Sequence, residues 1–160
     1  MPKNEFEVLP FRTILEQGMI PLDRLKIPIG INRPEFVELF ENFQSRSQEW
    51  QSGSDVWTRY NMRLPILWFP ATLISFTFCN EILSHVDVSE FSDTSTWDYS
   101  IQITRYFRMK EDLIKHFGGN YQIRETNEND METCWTFGPL ALSLSCDSKT
   151  GGCGIVLRPV

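Results

Sequence analysis

Tyr106-Phe107-Arg108-Met109-Lys110-Glu111-Asp112-Leu113-Ile114-Lys115-His116-Phe117, halted by Gly118-Gly119, is the stretch whose reading decides the fold. Tyr106, Phe107, Leu113, Ile114 and Phe117 fall at helical spacing, with Arg108, Lys110, Glu111, Asp112 and Lys115 on the other side, so the spacing predicts an amphipathic helix. Gly118 is its stop, and Lys115 suits the negative end of the helix dipole. Ser95, with Asp98 three residues on, reads as a capping-type start, so the helix is expected over 95–118. Beyond the glycines the period falls to two. Leu140, Leu142, Leu144 and Cys146 point one way while Ala141, Ser143 and Ser145 point the other, as in a strand with one wet face. With further strands at 121–126, 131–137 and 153–157, the segment 120–160 reads as a β-meander laid against the helix.

Working outward, 72–78 alternates Ile74, Phe76 and Phe78 against Leu73, Ser75 and Thr77, and 82–88 alternates again, which predicts a hairpin turned at Asn80-Glu81. Shorter strands are expected at 56–60 and 64–69, limited by Pro65 and Pro70, so strands occupy 56–90. Asn32 as N-cap, Pro34 in the first turn and Glu35 behind it open a second helix, expected over 32–50 with Phe36, Val37, Leu39, Phe40 and Phe43 as its apolar stripe. The first 31 residues, punctuated by Pro10, Gly18, Pro21, Pro28 and Gly30, read as an irregular arm with one or two helical turns at 11–17. The expected fold class is α+β: a single domain over 1–160, with an antiparallel sheet of about five to seven strands packed against two main helices.

The length of 160 residues suffices for one core, and an aromatic content of 13% marks a globular chain. A formal charge of −6 and no basic stripe argue against nucleic acid as a partner. The start of the chain is polar, and the longest apolar stretch is broken by Pro65, Pro70, Thr72, Ser75 and Thr77. Neither feature fits a signal peptide or a membrane span, so a cytoplasmic protein with no membrane partner is expected.

Catalytic and metal chemistry finds little support. The four cysteines, Cys79, Cys134, Cys146 and Cys153, contain no CxxC pair and are expected to be reduced; Cys146 and Cys153 flank a turn-forming run and form a cross-strand pair if that run closes a hairpin, as two buried thiols or as a disulfide. His85 and His116 have no ligand-spaced neighbour, and only a chance approach of either to Cys134 would give a cysteine nucleophile. No GxSxG occurs. In Lys149-Thr150-Gly151-Gly152-Cys153-Gly154 the glycines follow the Lys-Thr pair, the reverse of a phosphate loop, so the run reads as a hairpin turn. Asp87 with Glu90 and Glu128 with Asp130 read as solvated carboxylates in polar loops. No catalytic residue, metal site or cofactor is expected.

Tryptophan beside acidic side chains is the remaining signal, because such rings anchor partner proteins. Trp97 with Asp98, Glu49 with Trp50, and the acidic turn at Glu128 and Asp130 are the expected contact residues. The run 106–119, the segment Trp135-Thr136-Phe137-Gly138 with Leu140-Ala141-Leu142-Ser143-Leu144, and Gly154-Ile155-Val156-Leu157 together resemble small bacterial α+β immunity proteins of toxin–immunity pairs, over about a third of the chain. The resemblance implies a non-catalytic, acidic inhibitor that neutralises a cognate basic toxin domain by protein contact. The competing expectation is a small-molecule-binding domain or cryptic enzyme with a pocket between helices and sheet, using Cys134 or His116.

Overall fold

A computed structural model describes residues 11–22, 25–40, 46–63, 73–89, 99–127, 130–146 and 153–160. Three helices are described: α1 (Phe11–Glu16), α2 (Arg33–Leu39) and α3 (Tyr99–Phe117). The strands are β1 (Met19–Pro21), β2 (Lys26–Pro28), β3 (Arg46–Ser52), β4 (Asp55–Met62), β5 (Leu73–Cys79), β6 (Ile82–Ser89), β7 (Gln122–Asn127), β8 (Asp130–Phe137), β9 (Leu140–Cys146) and β10 (Cys153–Pro159). β1 and β2 form a small sheet; the other eight form one sheet in the order β3-β4-β5-β6-β10-β9-β8-β7, every neighbouring pair antiparallel. The protein is therefore mainly β, which corrects the α+β expectation of five to seven strands on two main helices.

Tight turns set the register of the large sheet. Gly53-Ser54, Asn80-Glu81 and Gly138-Pro139 each join strands whose flanking residues pair directly: Ser52 with Asp55, Cys79 with Ile82, and Phe137 with Leu140. Asn80 and Glu81 both take positive φ, the demand of a turn that matches strand twist. Asn80 is held there by accepting from the Val56 amide and donating to Asp55, at 3.0 and 2.8 Å. Glu81 is held by α2: its carbonyl accepts from the Arg33 amide at 2.7 Å, and its carboxylate pairs with Arg33 Nε at 2.7 Å.

One face of the sheet carries the core. Phe76, Phe78, Val86, Trp135, Leu142, Leu144, Ile155 and Leu157 are essentially solvent-free, and Tyr106, Met109, Leu113 and Phe117 of α3 lie in the same cluster. The spacing of three, four and four residues in α3 is the helical period, and Gly118, at φ 83° with its amide on the Ile114 carbonyl, ends the helix as expected. The expected helical face misplaced Phe107, which is exposed, and omitted Met109, which is fully buried.

Two segments depart from expectation. The first 31 residues are no irregular arm where described: α1 stops at Gly18 (φ 77°), and β1 pairs with β2 so that Ile20 and Ile27 face each other with no exposed surface. The helix expected over 32–50 is capped as foreseen, with Asn32 Oδ1 accepting from the Glu35 amide at 3.0 Å, but ends at Leu39. Among the described residues of this stretch the core takes in Phe36 and Phe40, while Val37 and Leu39 stay exposed; Phe43 lies outside the described residues. Gln48, Glu49 and Trp50 belong to β3 instead.

Cys146 and Cys153 stand opposite each other in the β9–β10 register, 4.1 Å apart at Cα, and are joined by a disulfide. Of the two forms expected for this cross-strand pair, buried thiols or a disulfide, the structure holds the second, which the pairing of β9 with β10 permits by leaving the sulfurs side by side.

Candidate functional site

Strand alternation builds the site. In β4, Thr58, Tyr60 and Met62 turn into the core, so Trp57, Arg59 and Asn61 project to the opposite face. Register then sets their neighbours: Trp50 on β3 lies opposite Trp57, Arg59 opposite Thr77 of β5, and Thr77 opposite His85 of β6; Asn61 lies opposite Ser75, and Ser75 opposite Asp87. The outer face of β3 to β6 therefore collects two indoles, a guanidinium, an imidazole and a carboxylate.

The geometry is tightly coupled. The Trp50 and Trp57 rings are parallel to within 6°, with centroids 6.2 Å apart, and Arg59 Cζ lies 5.4 Å from the Trp50 centroid. Arg59 Nε also donates to Thr77 Oγ1 at 3.2 Å, which holds the guanidinium over a hydroxyl that is shut off from solvent. The His85 ring sits 6.4 Å from Trp57, and its Nε2 is 3.5 Å from Asp87 Oδ2. Trp50 itself remains 38% exposed. The result is a rigid aromatic ledge with an accessible edge, suited to gripping a surface.

Asp87 was expected to be a solvated loop carboxylate, and here the structure differs. It lies in β6, and burial pushes its carboxyl above the usual range, against the opposing attraction of His85 and then Arg59. A carboxyl raised in the folded state adds stability below its ordinary range, and that stability is lost as pH rises through the raised value. Asp87→Asn is accordingly expected to be more stable than wild type at about pH 7 and equal to it at about pH 3. Thermal melts at the two pH values decide this, and an equal gain at both would reject the assignment.

Among the described residues, the expected contact residues Glu49, Trp50 and Asp130 do not share one surface. Trp97, Asp98 and Glu128 lie outside the described residues. Asp130 opens β8 opposite Asn127, six sheet positions from Trp50, or roughly 29 Å at the usual strand spacing. Glu49 and Trp50 are neighbours in a strand, so they project to opposite faces; only Trp50 joins the ledge. Trp135 is 1% exposed and donates to the Gly118 carbonyl at 3.1 Å.

Cys134 and His116, the groups named for the enzymatic alternative, each have other neighbours. Cys134 Sγ is 3.4 Å from Glu132 Oε1 and 3.3 Å from Ser143 Oγ, whereas His116 packs on Phe11 and Phe117 at 5.6 and 6.2 Å. β6, which carries His85, is three sheet positions from β8, roughly 14 Å. Burial and then the Asp55 carboxylate push the Cys79 thiol up, which keeps it protonated. Among the described residues no group of three His, Cys, Asp or Glu side chains is placed to hold a metal ion, and no helix is long and apolar enough to cross a membrane.

Sequence reasoning missed Trp57, Arg59, His85 and Asp87 as one group. The signal was present in Trp57-Thr58-Arg59-Tyr60, where a strand sends alternate residues outward, but their cross-strand neighbours depend on register.

A scan against protein-family models and a search of curated proteins found no match. Among solved structures, the fold resembles that of a DUF4309 family protein (YjgB) from Bacillus subtilis subsp. subtilis str. 168, with a TM-score of 0.51 and 9% sequence identity over 94% of each chain. At that identity, what the two chains share is the fold.

Proposed function

We propose that this chain is a non-catalytic binding protein that holds a partner protein against the outer face of β3 and β4, with Trp50 as the anchor. The observation that carries this reading is the Trp50–Trp57–Arg59 stack: two parallel indoles and a guanidinium, fixed by strand pairing, with Trp50 left open to solvent. Trp and Arg are among the residue types that dominate interface energies, and a Trp ring buries large area at little entropic cost. β3 supports the same role as an edge strand whose register with β4 runs unbroken from Arg46 to Ser52. The specific form we propose is an immunity-type inhibitor of a cognate toxin domain. A net charge of −6 favours encounter with a basic partner.

The test is binding of the protein encoded beside this chain's gene, measured for wild type, Trp50→Ala and Ile123→Ala. Ile123 is an exposed control on β7, at the far edge of the sheet. Trp50→Ala is expected to weaken binding by roughly 30-fold or more, as for an interface hot spot, and Ile123→Ala to leave it unchanged. Undiminished binding by Trp50→Ala rejects the Trp50 face, and no binding by wild type rejects the toxin form of the reading.

A further inference from the structure

We propose that the Cys146–Cys153 disulfide is the permanent native state of this chain, made by thiol–disulfide exchange with a protein disulfide donor in an oxidising compartment, so that the chain works outside the reducing cytoplasm.

The pairing follows from the fold. Leu144 opposite Ile155 and Leu142 opposite Leu157 continue the same cross-strand face as Cys146 opposite Cys153, and all four apolar side chains are buried. A register slip would turn them out of the core, so the sulfurs are held together by hydrophobic packing. Cys153 is 6% exposed, which limits the approach of a reductant. Cys79 and Cys134 are different: neither is in a disulfide, and β6, β10 and β9 lie between their strands. Among the four cysteines, Cys146 and Cys153 are the two that close a bond without backbone movement.

The chemistry balances with the donor as oxidant. One thiolate attacks a sulfur of the donor's disulfide and releases the donor's first thiol; the second thiolate then attacks the mixed disulfide and releases the donor's other thiol. Two electrons and the two cysteine protons leave on the reduced donor. Reducing cytosol removes such bonds, whereas oxidising compartments keep them.

The inference is independent of the Trp50 face, since it concerns the opposite end of β9 and β10 and its test involves no partner. Chain isolated from its native host, acid-quenched, denatured and alkylated with iodoacetamide without reductant, is expected to carry two adducts, on Cys79 and Cys134, with the Cys146 and Cys153 peptides linked. A population mostly carrying four adducts, or a linkage that includes Cys79 or Cys134, overturns the proposal. In the purified oxidised chain, reductant is expected to lower the melting temperature by roughly 5 °C, and the Cys146→Ser, Cys153→Ser double variant to lose that sensitivity. A melt unmoved by reductant overturns the structural role of the bond.

Discussion

Replacing Phe36 by alanine is expected to lower the stability of the fold by about 3–5 kcal/mol, near the top of the range for a single core substitution. Phe36 is solvent-free, and four rings converge on it: Phe40 at 4.7 Å, Phe76 at 4.8 Å, Phe78 at 5.0 Å and Tyr60 at 5.5 Å between centroids. Removal therefore loses transfer energy and the favourable edge and tilted ring contacts together, and four rigid rings cannot collapse into the space left. The consequence reaches the candidate site. Tyr60, Phe76 and Phe78 alternate along β4 and β5 with Trp57, Arg59 and Thr77, so the same backbone that rests on Phe36 presents the aromatic ledge. Denaturant unfolding measures the loss, with Phe36→Leu as the volume-retaining comparison at below about 2 kcal/mol. A cost under about 1 kcal/mol for Phe36→Ala would show that the cluster is not the support of α2 on the sheet.

The parts of this fold that were legible in the sequence are those where burial on one side writes a period into the chain. β5, β6, β9 and β10 were read within a residue or two because Ile74, Phe76 and Phe78, or Leu140, Leu142 and Leu144, alternate with polar neighbours. The N-cap at Asn32 and the stop at Gly118 were legible for a local reason, since each acts on backbone groups within one turn. β3 was not legible. Its residues, Arg-Ser-Gln-Glu-Trp-Gln-Ser, lie at a sheet edge, and 47–52 are exposed on whichever face they project, so no alternation records the strand, and the preceding apolar run made the helix seem to continue. That error split the candidate site, since Trp50 acquires its meaning only opposite Trp57. The Cys146–Cys153 pair lies between these cases: the spacing foresaw the approach of the sulfurs but left open whether they are two thiols or the disulfide that the structure holds.

Trp135→Ala is the second substitution with a large expected effect, again about 3–5 kcal/mol, and the comparison with Trp135→Phe separates its two causes. The indole is 1% exposed, tilts against Tyr121 at 5.4 Å, and donates its Nε1 proton to the carbonyl of Gly118 at 3.1 Å. It thus fills space in the core and also satisfies the carbonyl of Gly118, the residue on which α3 stops. Phenylalanine keeps much of the ring but cannot donate, so its cost is set by an unsatisfied carbonyl and a small void, about 1–3 kcal/mol. Tyr106 is the second tie between α3 and β8, through its hydroxyl contact with the buried Thr133 Oγ1, and it stays in place in both variants. If packing dominates, Trp135→Phe retains most of the stability that Trp135→Ala loses, and amide exchange at the last turn of α3 changes little. If the hydrogen bond dominates, the two variants lose similar stability and the amides of Ile114 to Phe117 exchange faster in both. The near-complete burial of the ring favours the first outcome, because an area that large outweighs one net hydrogen bond of about 1 kcal/mol.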